Sequence, residues 1–153
     1  MKKIIALAFT ATLFIAVISS CSKKETTLEK DYTTSVVGNY NGSYTDTTIG
    51  TSDNNITETN QTLSVTKIDN THIKVTPSNT LDRYTFTAEL SETTVGDLLL
   101  SIPYQTSNGE AIYGLPLVYG TVTTNGAYSV TSKKLYFITT NSEDLQGFNG
   151  TKQ

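Results

Sequence analysis

Few residues of this chain can do nucleophilic or metal chemistry. Its 153 residues hold one cysteine, Cys21, and one histidine, His72. A catalytic base or metal ligand needs partners, and there is no second histidine or thiol to supply them. No Gly-x-Ser-x-Gly elbow is present, and no glycine-rich phosphate loop. "TSDNNITE" offers Asp53, Asn54 and Glu58, oxygen ligands of the kind calcium prefers, but lacks the glycine a calcium loop needs at its bend. His72 is therefore read as a residue on the polar face of a strand, and "TSDNNITE" as a solvated loop. Asp82-Arg83 reads as a surface pair or a turn. The expectation is a protein that is not an enzyme and carries no cofactor and no metal. Carboxylates such as Asp53 and Glu58 meeting in space are the one route left to enzyme chemistry.

Cys21 has a different chemistry open to it. Met1-Lys2-Lys3 is positive, Ile4 to Ile18 is apolar but for Thr10 and Thr12, and Ser19 and Ser20 are small. That order makes a secretory signal peptide, too short for a bilayer span of ~20 residues. Ile18-Ser19-Ser20-Cys21 resembles a bacterial lipobox, which is cleaved just before its cysteine. The resemblance implies removal of residues 1–20, acylation of the Cys21 thiol, and further acylation of its freed amine. Several chains anchor stably where one is marginal. Disulfides would need an even set of cysteines. Family rules for such lipoproteins place aspartate after the cysteine for inner-membrane retention. Ser22 stands there, so the outer membrane is expected. Lys23-Lys24 departs from the acidic stretch of surface-flipped lipoproteins, so the periplasm-facing side is expected. "SKKETTLEKDYTTS" is poor in apolar residues, and residues 21–35 read as a flexible tether.

A third chemistry is recognition. In "YQTSNGEAIYGLPLVYG", Tyr104, Tyr113 and Tyr119 cluster with Gly109, Gly114 and Gly120 around Pro116. Tyrosine gives amphipathic contact area at low entropy cost, so these three are the candidate binding residues. The alternative is a long hairpin packing its rings on the domain. Net charge is −3 for the whole chain. It becomes more negative once Lys2 and Lys3 are removed, so no nucleic-acid partner is expected.

The elements that would position these residues read as strands. "YTFTAEL" sets Tyr84, Phe86, Ala88 and Leu90 on one face and Thr85, Thr87 and Glu89 on the other. "QTLSVTKI" and "HIKVT" alternate likewise around the turn residues Asp69-Asn70-Thr71. "VVGNYNGSY", "DLLLSIP", "LVYGTVTT", "AYSVT", "KLYFITT" and "QGFNGTK" complete the series. Asn125-Gly126 between two alternating runs predicts a hairpin. No part of the mature chain keeps a 3.6-residue apolar period. About eight short strands must hide one apolar face and their edges, and closure does both. The fold class is all-β, an antiparallel up-and-down barrel of about eight strands over residues 36–153. A two-sheet sandwich is the alternative.

"GNYNGSY" resembles the opening strand of calycin-like lipoprotein domains, relatives of the lipocalins. Gly38-Asn39-Tyr40 stands at their glycine-x-tryptophan position, with tyrosine for tryptophan. "TNGAYSVTSKKLYFITT" is similar to their penultimate hairpin, and "GFNGTKQ" to their terminal strand. The resemblance implies an eight-stranded barrel and no catalytic residues. The function expected is that of a monomeric, lipid-anchored envelope protein. It would bind a small hydrophobic ligand or an envelope protein, or serve in structure or assembly without a ligand.

Overall fold

A computed structural model describes residues 29–50 and 55–153. Cys21, the signal segment and Asp53 lie outside the described residues, so the lipidation site and the "TSDNNITE" cluster are not seen whole.

A four-residue helix, α1 (Thr33–Val36), leads into β1 (Gly38–Thr48), β2 (Asn55–Lys67), β3 (His72–Pro77), β4 (Phe86–Glu92) and β5 (Leu98–Ser101). An excursion follows, with the hairpins β6 (Gln105–Ser107) to β7 (Glu110–Gly114) and β8 (Leu117–Tyr119) to β9 (Val122–Thr124). The chain then returns through β10 (Gly126–Ser129), β11 (Lys134–Thr140) and β12 (Asp144–Lys152). Each barrel strand pairs antiparallel with its neighbours in the order β10-β5-β4-β3-β2-β1-β12-β11, and β10 pairs with β11 to close the ring. Eight strands make a closed antiparallel barrel, a form compatible with the calycin-like fold, and closure excludes the sandwich.

Alternation fills the interior. In β4, Phe86, Ala88 and Leu90 are buried, while Thr87, Glu89 and Ser91 point outward. Tyr44, Phe86, Phe137 and Phe148 form one ring cluster at centroid separations of 4.8–6.4 Å, in the range of favourable aromatic pairs. Room for the rings comes from Gly42 facing Gly150, where a Cβ on Gly150 would sit 2.4 Å from the Phe148 ring. Tyr40, which carries the Gly-x-Tyr resemblance, is fully buried and edge-on to Tyr128 at 6.2 Å. Its hydroxyl donates to the Val36 carbonyl.

The continuous run "DLLLSIP" has a topological cause. Leu98 and Leu100 face inward, and Leu99 faces out yet is buried. It shares a hollow with Pro116 and Val122 of the β8–β9 ribbon, which lies over this wall. A strand covered on both faces reads as unbroken apolar sequence.

The two ends of the barrel differ. The proximal end, where the chain enters, is closed by connections 68–71, 93–97 and 130–133. Residues 30–36 lie across it: Tyr32 N donates to Asn70 O at 2.9 Å, Lys67 pairs with Asp31, and Lys30 with Glu92. The flexible tether expected through Ser35 is thus bonded to the barrel from Lys30 onward, because Thr33 and Val36 bury themselves in covering it. The distal end carries connections 78–85 and 141–143 and the start of the excursion 102–125, whose β8–β9 ribbon runs back along the wall until Tyr119 reaches Asp97.

The Asn125-Gly126 hairpin does not form. β9 and β10 do not pair, and Gly126 lacks positive φ. Asn125 instead ties β5 and β11 together at the barrel mouth. Its N–H donates to Leu100 O, its side chain accepts from Ile102 N, and its carbonyl accepts from Ile138 N. The two-residue hairpin is Asn108-Gly109, with φ of 54° and 84°, between Ser107 and its partner Glu110. Two successive positive φ values are what a type I′ turn demands, and Asn-Gly supplies them.

Candidate functional site

The β6–β7 hairpin is held to the barrel along one edge. β11 pairs with β10 through Lys134–Phe137, and beyond that with β7 through Thr139 and Thr140. Leu115 N donates to Ile138 O at 3.1 Å. The hairpin therefore extends the barrel wall past the end of β10, and it faces the connection 141–143 across a groove of 490 Å³. Tyr104, Glu110, Ala111, Tyr113, Asn141 and Glu143 line it.

One polar knot fixes this groove. Asn141 is buried, and its side-chain oxygen accepts from Glu143 N and Asp144 N, which sets the turn. Its amide donates to Glu110 at 2.6 Å and to the Tyr84 hydroxyl at 2.7 Å, while Tyr84 donates to the same Glu110 oxygen at 2.9 Å. Those donors, Asn141 first, hold the Glu110 carboxyl below the usual range, so it is ionised at neutral pH. Burial, and then Glu110, pushes the Tyr84 phenol well above its ordinary value, so it stays a donor.

Two of the three candidate tyrosines meet here. Tyr104 is 73% exposed and Tyr113 41% exposed, and both line the groove. Tyr119 does not join them. It sits on the β8–β9 ribbon, donates to Asp97 at 2.6 Å and lies 6.1 Å from the Tyr136 ring. The bond to Asp97 raises its phenol to about 12.

A second hollow of 340 Å³ adjoins the first through Glu110, with Asp46, Asp82, Arg83 and Asp144 in its lining. Here Arg83 departs from the expected surface pair. It is only 4% exposed, and its guanidinium reaches Asp46 at 2.7 Å and Glu58 at 3.0 Å, not the Asp82 carboxylate. The cation also covers the Tyr44 ring at 4.8 Å, as a lid on the aromatic core. Burial raises the Asp46 carboxyl against the pull of Arg83. Glu58, offered above as an oxygen ligand, is thereby committed to an ion pair. Among the described residues no three His, Cys, Asp or Glu side chains are placed to hold a metal ion. His72 sits on the proximal rim with Nδ1 2.9 Å from Asp69.

Neither Asn141 nor Glu110 was singled out by sequence reasoning. "TTNSED", an Asx-turn pattern directly after a strand, and "SNGE", a hairpin turn, were the available signals. No family model, no curated protein and no solved structure matches this chain.

Proposed function

We propose that this chain is a lipid-anchored cell-envelope protein that binds a ligand or partner in the groove between β7 and the 141–143 turn. The observation that carries the reading is that groove, where two exposed tyrosines border a fixed, ionised carboxylate. The barrel interior offers weaker support for a small hydrophobic ligand, because Tyr40, Phe137, Leu135 and Ile73 fill it with almost no exposure. Two carboxylates and two tyrosines line the groove, with no Lys or Arg, so it suits a group that donates hydrogen bonds or bears positive charge. The outer membrane remains the proposed address, on the lipobox-like "ISSC" before Ser22.

A heteronuclear NMR titration with spermidine, beside a neutral trisaccharide, tests the groove. Shifts centred on Glu110, Tyr113 and Asn141, weakened about tenfold by Tyr104→Ala, support it; a ligand that shifts only residues elsewhere overturns it. The anchor is tested separately with a fatty-acid analogue, whose label Cys21→Ala should abolish. Label that persists in the mutant removes the anchor from the reading. A structural or assembly role is the second reading, and the packed interior favours it.

A further inference from the structure

We propose that the proximal end of the barrel docks on a phospholipid surface, with Ile68, Val95 and Val130 entering the interface; the orientation rests on the anchor reading. Each of the three connections that close this end lifts one apolar side chain into solvent, between two-fifths and four-fifths exposed. These residues sit on turns, where apolar exposure serves no strand packing. An apolar tip beside lysines is the composition that enters a membrane interface.

The chain enters the barrel at the same end. Cys21 precedes the first described residue, Glu29, by a segment that spans at most about 28 Å when fully extended. Lys30, Asp31 and Tyr32 then fasten the chain to the proximal rim. A lipid on Cys21 therefore keeps this end toward the bilayer.

Charge selects the same end. Among the described residues, the distal end gathers Asp46, Glu58, Asp82, Glu110, Glu143 and Asp144 against one cation, Arg83. It also exposes Ile49, Ile56 and Leu81, but an anionic bilayer repels the carboxylates around them. At the proximal end four carboxylates are engaged. Asp31 pairs with Lys67, Glu92 with Lys30, and Asp69 with His72, while Asp97 accepts from Tyr119 and Val130 N. Lys133 and Lys134 have no carboxylate partner among the described residues, which leaves them to lipid phosphates.

The sequence has one cysteine and no tryptophan, which makes the test direct. The chain from Cys21 onward is coupled through the Cys21 thiol to a maleimide lipid in phosphatidylcholine–phosphatidylglycerol vesicles. Val95→Trp or Val130→Trp then reports on the proximal end, and Leu81→Trp on the distal end. Brominated lipid should quench the proximal reporters severalfold more than the distal one, and Lys133→Glu with Lys134→Glu should reduce that quenching. Equal quenching at both ends, or stronger quenching of Leu81→Trp, would overturn the proposal. Because the lipid is attached chemically, this result does not depend on whether cells acylate Cys21, which the fatty-acid label reads by itself.

Discussion

Arg83 links three regions through one side chain: the ring cluster beneath it, Asp46 on β1 and Glu58 on β2. Removing one partner of a buried pair strands the other, at about 3–5 kcal/mol. Arg83→Ala should therefore lower the urea midpoint severely. Arg83→Met combined with Asp46→Leu should lose less than the single change, because no charge is left buried. Glu58 is nearly half exposed and should matter little. The tyrosines divide differently. Tyr104→Ala and Tyr113→Ala should leave the melting temperature nearly unchanged. Tyr119→Ala should lower it, because the Asp97 bond and the Tyr136 contact are lost. The cluster in "YQTSNGEAIYGLPLVYG" was legible as a place where aromatics gather, but not as a division between groove and ribbon. That division depends on where each ring rides: β7, which carries Tyr113, is fixed by pairing with β11, far along the chain, whereas Tyr119 rides the separate β8–β9 ribbon. Arg83 beside Asp82 misled for the same reason: its partners lie on β1 and β2, and adjacency in sequence says nothing about them.

At the scale of elements, local signals worked where the partner was local. "YTFTAEL" reads as a half-buried strand because alternation alone specifies it, and β4 follows that alternation. The two Asn-Gly pairs show the limit. Asn108-Gly109 turns a hairpin, and Gly109 at φ 84° is a position that resists a side chain. Gly109→Ala should destabilise by about 1 kcal/mol and loosen the groove, seen as lost protection of the β7 amides. At Asn125-Gly126 the glycine is needed for space, since a Cβ there would lie 2.6 Å from the Tyr136 carbonyl. Gly126→Ala should therefore cost considerably more than Gly109→Ala in the same denaturation series. A dipeptide cannot announce which of these two uses it serves. The segment before β1 is similar. Its polar composition suggests a tether, yet Val36, fully buried, caps the barrel, and Val36→Ala should cost about 2 kcal/mol.

For the whole molecule, acid acts on carboxylates at both ends: the lowered Glu110 of the groove begins to lose its contribution below about 4.5, and the proximal rim follows. The Asp69 carboxyl, held by Thr71 N and then His72, sits at about 2 against an ordinary 3.8. Its contribution is fully present above the ordinary value and is lost as pH falls toward 2. Asp31, held lower still by Lys67, loses its contribution in the same direction. Asp46 works the opposite way, since its raised pKa makes ionisation unfavourable and acid partly relieves it. Melting temperature should therefore be flat near neutrality and fall below about pH 4, with a smaller fall in Asp69→Asn. The ring of strands also has unequal joints. β1 meets each neighbour through nine facing pairs, whereas β5 and β10 share three. That short joint lies between strands separated in sequence by residues 102–125, so its closure waits for an excursion to fold or at least to loop. Loop length itself adds little, since entropy grows only with its logarithm. The few pairs are what make the joint late and reversible. Native-state hydrogen exchange should find the β5 and β10 amides opening well before those of β1. A chain caught with this joint parted would be a curled sheet with two free edges, open to pairing with another chain. The segment 102–125 thus has a duty in assembly apart from recognition: its β8–β9 ribbon lies across the last joint and holds shut the edge that would otherwise recruit a neighbour.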